Sequence, residues 1–493
     1  MRRVSLQPDS FMSLTAKTLG ALRWSALLTI GEQGVRLLVS LVIARLLLPK
    51  EYGLTAMILV FVGIAEVLIS SGFARAIIQR REPSHLELCS VFYFNVTVSI
   101  VCAGLLAAAG PLIAAFYRLP ILAPLAAVMS IDLVISALGL VQNTLLTKKL
   151  DFKTQFWAKL AGTVLSGIVG IWMAWAGYGV WSLVGQCLVA NGVTVACYWL
   201  HASWKPSLLF QVSALKPMFS FGSKLLVSAL VDVLFRNLYL MVIGKAFSAA
   251  ELGLYTRAAQ LQQLPVDNIC TITDRVLFSS FASIQHDKEH LQRALRKAVT
   301  SLAMIVFPAM VGLALVAKPL VLLVLTEKWA GCIPYLQWLC VAGAFFPAQM
   351  LNLSALTAQG RSDLFLRLEI IKKCILVAAV AVTWRWGIMA MIYGQIVVMF
   401  VCYFLNAFYT GKFLSYGFWA QLKDMAPYAA ASLVMGGVLY LVQTAAWNSN
   451  LLLLVCEVGA GAIVYFAMCR LFALGAFMEL WRRWPVMVGL EAK

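Results

Sequence analysis

The sequence predicts an all-α polytopic membrane protein with about fourteen transmembrane helices, arranged as two pseudo-symmetric six-helix lobes around a central cavity plus a C-terminal helix pair. Of the 493 residues, 62% are hydrophobic and 12% are charged, which excludes an ordinary soluble domain. The apolar residues come in runs of about 20 or more, the length that a helix needs to cross ~30 Å of hydrocarbon. The first two spans of each half also match without a gap at an offset of 200 residues, which indicates an internal duplication.

The predicted elements follow in chain order from these apolar runs. The first lobe has spans at 22–47, 53–78, 88–116, 121–147, 155–176 and 179–200, and the second has spans at 219–247, 253–282, 297–317, 332–358, 364–384 and 387–409. A final pair is predicted at 425–443 and 450–472. The resulting regions are a cytoplasmic N-terminal segment 1–21, an N-lobe 22–200, a cytoplasmic linker 201–218, a C-lobe 219–409, an additional helix pair 410–473 and a cytoplasmic tail 474–493. Outside the spans, we expect a charged amphipathic helix at 285–297 and a short interfacial piece at 319–326.

The basic residues orient these spans. With the N-terminus inside, 29 of the 39 Lys and Arg residues lie in the N-terminal tail, the even-numbered loops or the C-terminal tail. The odd-numbered loops hold only seven, and three lie within spans. Cytoplasmic loops carry the excess of Lys and Arg, so both termini are predicted to be cytoplasmic. The same rule explains the net charge of +18 without a nucleic-acid partner.

The duplication carries charged residues with it. Glu32 matches Asp232, and Arg36 matches Arg236, in the first span of each half. Six spans separate the copies, so both enter the membrane in the same direction, as in a parallel repeat related by an axis along the membrane normal. The match is visible in the first two helices of each half, and the repeat of the whole six-helix lobe is inferred from it.

Arg36 and Arg236 are the first candidate functional residues, because a charge near mid-bilayer costs ~2.5–3.5 kcal/mol on insertion scales. Each has an acidic residue four positions earlier, Glu32 or Asp232, on the same helical face. One interpretation is a pair of structural salt bridges inside the lobes. The other, which we favour, is that the charges face a water-filled cavity, since buried ion pairs stabilise poorly after desolvation.

The eighth span is the most polar helix of the chain. Its candidate substrate-contacting residues are Arg257, Gln263 and Asn268, with Asp267 as a candidate ion ligand. Pro265 in its middle removes one backbone hydrogen bond and is a candidate hinge. The alternative is a kinked interior helix whose amides are hydrogen-bonded.

These residue types suggest a chemistry. Guanidinium groups stay charged and bind phosphate oxygens in pairs, so a cationic cavity is suited to an anionic headgroup such as a diphosphate. The carboxylates are candidates for a coupling H⁺ or Na⁺, and they are Glu32, Asp232, Asp267, Glu66 and Asp132.

One motif has the spacing of a metal site. The stretch from His286 to His290 spells an inverted zinc-peptidase pattern, but it lies in the predicted charged cytoplasmic helix. The other histidines, His85 and His201, lie on other loops. We therefore predict neither a metal nor a cofactor.

Three segments resemble a known transporter superfamily. They are Ile77–Leu88, Arg275–Gln285 and Glu327–Cys340, and they are similar to the polysaccharide-transporter branch of the multidrug/oligosaccharidyl-lipid/polysaccharide flippases, nearest to the Wzx-type exporters. The similarity covers about residues 14–420. One departure is Ser279, where relatives usually carry proline.

The resemblance implies two six-helix lobes, alternating access and a substrate of undecaprenyl-diphosphate-linked oligosaccharide. The substrate would cross the bacterial cytoplasmic membrane for exopolysaccharide, O-antigen or capsule biosynthesis, with a polysaccharide polymerase or export machinery as candidate partner. Alternatives are a lipid II or multidrug exporter of the same superfamily, or a membrane glycan polymerase or ligase. The short exterior loops disfavour an enzyme, because glycan-joining enzymes need a sizeable exterior loop.

Overall fold

A computed structural model describes residues 31–70, 73–80, 82–445, 449–479 and 481, and the regular elements in these ranges are helices. The described part of α1 covers 31–46. The helices that follow are α2 (Pro49–Ser70), α3 (Phe73–Gln79), α4 (His85–Tyr117), α5 (Leu122–Lys148), α6 (Phe152–Trp175), α7 (Trp181–His201), α8 (Val212–Arg236), α9 (Leu238–Ala246), α10 (Ala249–Ser283), α11 (Lys288–Val324), α12 (Cys332–Ala358), α13 (Ser362–Thr383), α14 (Ile388–Leu414), α15 (Phe418–Thr444) and α16 (Asn450–Leu471).

The described parts of the predicted spans fall on helices of this series, and residues 22–30 of the first predicted span lie outside the described residues. Within the described residues, ten helices are long and apolar enough to cross a membrane. The number of spans rises to eleven if the bent pair of α8 and α9 is counted as one span. The all-α membrane class is therefore confirmed. Charge-rich α10 and α13 are not among the ten, so the count of fourteen spans and the two-lobe arrangement stay predictions.

The helix boundaries correct three local expectations. The predicted span 219–247 is not one helix, because α8 ends at Arg236 and α9 continues at an angle of 41°. The amphipathic piece 285–297 and the interfacial piece 319–326 are not separate elements. Both belong to the 37-residue α11, which begins where Asp287 accepts a hydrogen bond from the His290 amide and which continues through Pro319. A proline removes only one backbone bond, and the packed helix tolerates that loss.

The chain forms two compact units, Met1–Gly253 and Leu254–Lys493. In the first unit, α4 packs on α5 and α6 packs on α7, while α8 and α9 pack on α2 and α4. The first unit therefore extends past the predicted start of the C-lobe at residue 219. The predicted domain boundaries stay a prediction.

Glycines permit close helix approaches in the first unit. A Cβ on Gly162 of α6 would lie 2.6 Å from the Ala190 carbonyl oxygen of α7, and one on Gly110 of α4 would lie 2.9 Å from the Ala123 carbonyl oxygen of α5. Small residues at such crossings allow the backbones to approach closely, which is how membrane helices associate without a hydrophobic driving force.

A buried amide pair organises the second unit. Gln421 of α15 and Asn352 of α12 exchange two hydrogen bonds, at 2.9 and 2.7 Å, and the Thr410 hydroxyl of α14 donates to the Asn352 oxygen at 2.8 Å. All three side chains are fully buried. The first helix of the final pair is thus joined to α12 and α14 of the same unit by a satisfied polar network, which specifies one packing arrangement.

Further polar contacts lie at the N-terminal end of α15. The Tyr416 hydroxyl donates to one Asp424 oxygen at 2.9 Å, and Arg296 of α11 donates to the other at 2.7 Å. Burial, and after it the neighbouring Asp424 carboxylate, raises the pKa of the Tyr416 phenol. The phenol therefore remains protonated and keeps its role as a donor.

Candidate functional site

Helix α1 carries the first of the two intramembrane arginines. The Arg36 side chain is exposed, and its guanidinium lies within electrostatic range of the Cys187 thiol on α7. One turn earlier, Glu32 lies within electrostatic range of the Tyr198 hydroxyl, also on α7. Among the described residues, no ion pair under 4.0 Å joins Glu32 to Arg36, although their spacing allows one.

A polar cluster lies next to Arg36 in the first unit. The Asp132 carboxylate of α5 is 1% exposed, and the Asn191 side-chain amide of α7 donates to its two oxygens at 2.8 and 2.9 Å. The Cys187 thiol donates to the same carboxylate at 3.8 Å. Glu66 of α2 lies within electrostatic range of both Asp132 and Cys187. The structure therefore brings together three predicted residues, namely Arg36, Glu66 and Asp132.

This cluster can hold and exchange a positive charge. Two carboxylates in electrostatic range of one another favour one shared proton or one bound monovalent cation, because like charges disfavour full ionisation of both. The Asn191 amide fixes the orientation of the Asp132 oxygens, and Arg36 lies within electrostatic range of the Cys187 thiol that donates to Asp132.

Asn191 and Cys187 are the residues of this cluster that the sequence does not single out. Each is a single polar or weakly polar residue in an apolar run, and such a residue is commonly a neutral part of a helix interface. The available signal is their spacing of four, which places both on one face of α7. That signal becomes informative only when the face is known to pack on the acidic position of α5.

The second arginine, Arg236, is the last residue of α8. Asn237 follows at the break, and its side-chain amide donates to the Val233 carbonyl oxygen at 2.9 Å. Such a local side-chain bond competes with the regular backbone ladder. The first copy of the repeat has Leu37 at the equivalent position, and α1 continues without a break. The exposed Asp232 and Arg236 are thus held beside a bend that their counterparts in α1 lack.

The predicted residues of α10 differ in exposure. Arg257 is only 3% exposed, and its guanidinium lies 6.0 Å from the Trp329 ring centre, with the Gln260 oxygen at 3.4 Å. Its charge is therefore held among protein groups in this conformation. A role for Arg257 in substrate contact stays a prediction.

Farther along α10, Gln263 and Asp267 are exposed, and the helix is assigned without a break through Pro265. The side chain of Asn268 lies outside those that the structure describes. The exposed amide and carboxylate are consistent with a polar face on this helix. The hinge function of Pro265 stays a prediction.

A family model described as polysaccharide biosynthesis protein matches residues 42–334, which is more than half of the chain. This chain belongs to the polysaccharide biosynthesis protein family. It is a Wzx-type flippase of the multidrug/oligosaccharidyl-lipid/polysaccharide superfamily, as the three sequence segments predicted. Glu66, Asp132, Cys187 and Asn191 lie inside the matched range, and Arg36 lies before it.

Proteins from several bacteria are similar to the chain. The lipopolysaccharide biosynthesis protein WzxC of Escherichia coli (strain K12) is 32% identical, over 75% of this chain and 76% of that protein. The teichuronic acid biosynthesis protein TuaB of Bacillus subtilis (strain 168) is 26% identical, over 71% and 73%. The succinoglycan biosynthesis transport protein ExoT of Rhizobium meliloti (strain 1021) is 25% identical, over 65% of each chain.

Two solved structures share the fold of this family member. The lipid II flippase MurJ in an inward closed conformation has a TM-score of 0.73 at 14% identity, covering 92% of this chain and 98% of that one. An inward-facing multidrug resistance MATE family transporter has a TM-score of 0.60 at 16% identity, covering 77% and 96%. The chain is therefore a multi-pass membrane protein with the fold of these transporters.

Proposed function

We propose that this protein is a flippase that moves undecaprenyl-diphosphate-linked oligosaccharide repeat units across the bacterial cytoplasmic membrane, with both termini in the cytoplasm. Family membership is the observation that carries the proposal. The similar proteins act, by their names, in the biosynthesis or transport of lipopolysaccharide, teichuronic acid and succinoglycan. Such glycans are assembled from units that must cross the membrane while they are attached to a lipid.

The physical problem is to move a polar headgroup past hydrocarbon while the polyprenyl tail stays in the lipid. Arg36 and Arg236 supply permanent positive charge at equivalent positions of the repeat, and a diphosphate is the part of the substrate that such charges bind. Alternating access would expose them first to one side of the membrane and then to the other. No chemical bond changes in this process, so we propose a transporter and not an enzyme.

The acidic cluster supplies a candidate for coupling. We propose that Asp132 and Glu66 bind H⁺ or Na⁺ and that Arg36 leaves their neighbourhood when it binds the diphosphate. Binding of the substrate to Arg36 would then favour binding of the cation to the carboxylates, and binding of the cation would favour binding of the substrate. This is a reciprocal coupling between two sites. Glu32, Asp232 and Asp267 remain further candidates for the ion.

The test is a flipping assay with purified protein in proteoliposomes. Undecaprenyl-diphosphate-linked oligosaccharide is loaded in one leaflet, and its arrival in the other is followed with a membrane-impermeant glycan-modifying reagent. We expect Arg36→Gln and Arg236→Gln each to slow flipping about tenfold or more, because a lost charge-assisted hydrogen bond costs about 1.5–3 kcal/mol. Arg45→Gln, an exposed arginine at the other end of α1, is the matched control and should retain activity.

The same assay separates the alternatives. Transport of lipid II or of a cationic dye in place of the oligosaccharide would favour a lipid II or multidrug exporter. The formation of longer glycans by the purified protein would favour a polymerase or ligase. Unchanged flipping in the doubly substituted protein, with normal folding, would refute the assigned role of the arginines.

A further inference from the structure

The connection between α7 and α8 is held against the start of α4 by side chains. Residues 202–211, which we call the linker strap, form no helix or strand. The Ser207 amide of the strap donates to the Cys89 sulfur at 3.4 Å, and the Gln211 amide donates to the Ser90 hydroxyl at 3.0 Å. Cys89 and Ser90 are fully buried. The strap therefore lies over the first turns of α4.

His85, the first residue of α4, joins the helix to this strap. The Trp204 indole N–H donates to His85 Nδ1 at 3.0 Å, and His85 Nε2 lies 2.7 Å from the Ser207 hydroxyl oxygen. The Cys89 sulfur lies 3.4 Å from the same Nε2. The Trp204 ring also packs on the buried Phe92 of α4, with the ring centres 6.0 Å apart. One imidazole thus ties two positions of the strap to α4.

These contacts require a neutral imidazole. An indole N–H can only donate, so the Nδ1 atom that faces Trp204 must present a lone pair. The ring proton then lies on Nε2, which donates to the Ser207 hydroxyl. A second proton would occupy Nδ1 and set two donors against each other. Protonation of His85 therefore removes the hydrogen bond from Trp204 and places a repulsive contact where that bond was.

The charged groups on the surrounding elements are paired or exposed to solvent. Arg80 and Glu87 form an ion pair at the start of α4. At the end of α5, Lys148 donates to the Arg80 carbonyl oxygen at 2.5 Å. Lys149 donates to the Ser203 hydroxyl of the strap at 2.8 Å. Solvent exposes the other charged or titratable groups described on the strap and at the adjoining chain ends, which are Glu82, His201, Lys205 and Lys216. Solvated charges are screened, so the indole and hydroxyl contacts decide how the imidazole responds to a proton.

We propose that His85 is a pH-sensitive clasp on the connection between α7 and α8. The neutral imidazole holds the linker strap over the start of α4, and the protonated imidazole releases it. Imidazole groups change charge between about pH 5 and pH 8, so acidification operates the clasp. His85 and the strap belong to even-numbered loops, which are cytoplasmic in the predicted orientation. The clasp goes beyond the proposed function, because it acts on the segment between the two copies of the repeat and not on a substrate.

Hydrogen–deuterium exchange of the strap at two pH values tests the clasp. The Ser207 and Gln211 amides are bonded to α4 and exchange when the strap opens. Mass spectrometry measures their protection relative to the same peptide in the denatured protein, which removes the general effect of pH on exchange. We expect the protection to fall about fivefold or more from about pH 7.5 to about pH 5.5. The measurement needs no substrate, so its outcome is independent of the proposed function.

His85→Gln separates the imidazole from other effects of acid. Its side-chain oxygen can accept from Trp204 and its amide can donate to Ser207, but it takes up no proton, so we expect full protection at both pH values. His201→Gln is the matched control, since His201 is an exposed histidine at the end of α7, and this protein should keep the native pH response. Equal protection at both pH values in the native protein, or an acid-induced loss that survives in His85→Gln, would overturn the clasp.

Trp204→Phe tests the opposing donor. The variant keeps an aromatic ring beside Phe92 but lacks the N–H that faces the second proton. We expect lower protection of the strap at neutral pH, because one hydrogen bond is lost, and a smaller further loss in acid.

The amides of α4 beyond Ser99 report a general opening of the first unit. They should stay protected at both pH values, and a loss there in parallel with the strap would refute a local clasp. The comparison of the native protein at two pH values needs no variant, so it decides the proposal even if one of the variants does not fold.

Discussion

At the scale of single residues, the buried Asp132 carboxylate accepts hydrogen bonds from Asn191 and Cys187. Asn191 donates to both of its oxygens, Glu66 lies within electrostatic range of it, and Arg36 lies within electrostatic range of the neighbouring Cys187 thiol. Buried intramembrane acids are costly and commonly mark ion pathways. The arrangement therefore makes Asp132 the most informative position for a test of coupling.

We predict that Asp132→Asn preserves the fold but removes the response of transport to an imposed H⁺ or Na⁺ gradient, because an amide neither binds a proton nor neutralises a cation. The measurement compares flipping rates in proteoliposomes with and without each gradient. Glu457→Gln is the matched control, since Glu457 is an equally buried acid of α16. A gradient response that persists in Asp132→Asn would rule out this carboxylate as the coupling group.

The acidic cluster also separates what a sequence can predict from what it cannot. Arg36, Glu66 and Asp132 are each predictable, because charges within apolar runs are visible in any sequence. Their proximity is not predictable, since it depends on the rotation of α1, α2, α5 and α7 about their own axes. Asn191 escapes notice in the sequence for the same reason.

At the scale of elements, the two copies of the repeat differ in helix continuity at Asn237. Asn237 breaks the span that its counterpart, with Leu37, continues as a single helix. The repeat alone predicts two equal helices, so the bend required the structure. The bend places Arg236 at a helix end, where backbone carbonyls lack intrahelical partners and add to the polarity of the site.

We predict that Asn237→Leu favours a continuous helix from α8 into α9 and slows flipping, while thermal stability stays equal or rises by a few tenths of a kcal/mol from the better helix propensity of leucine. Circular dichroism, melting temperature and the flipping assay measure the two effects. The reciprocal Leu37→Asn is the matched comparison. Unchanged flipping by a demonstrably straightened Asn237→Leu protein would show that the bend has no part in transport.

The attachment of α15 is a second property of elements. Its Gln421 amide satisfies Asn352 and Thr410 in a buried site, although the sequence predicts 410–473 as an additional pair.

We predict that Gln421→Leu destabilises the protein by about 1–3 kcal/mol, because it leaves buried amide and hydroxyl groups unpaired. A melting temperature in detergent measures this loss. Gln79→Leu, at an exposed site at the end of α3, should have little effect, and equal losses in both proteins would contradict the role of the network.

At the scale of the whole molecule, the number of spans depends in part on α13. Its 22 residues are long enough to cross the membrane at 1.5 Å per residue, but its first half is charged. Lys372 is largely buried and forms an ion pair with Glu369 at 2.6 Å, so part of that charge is compensated within the helix. Paired charges of this kind are tolerated in membrane helices that face the protein interior.

We therefore predict that α13 crosses the membrane. An alkaline phosphatase reporter, which is active only outside the cytoplasm, should be inactive when fused after Gly360 and active when fused after Gly387. A fusion after Leu150, in an even-numbered loop, is the interior control, and one after Gly331 is the exterior control. Equal activity on both sides of α13 would reduce the number of spans and reverse the predicted orientation of the helices after it.

The helical membrane class, the approximate positions of the helices, the internal repeat and the family all follow from the amino-acid sequence alone. These properties are local or periodic, because a lipid environment requires every span to be an apolar helix of sufficient length. Three contacts, in contrast, emerge only in the folded chain: Asp132 meets Asn191, Gln421 meets Asn352, and Gly53 meets the start of α10. Each joins residues that are 59 or more positions apart. The rotation and the crossing of the helices select the partner. Apolar patterning specifies neither of them, because lipid-facing surfaces are apolar as well.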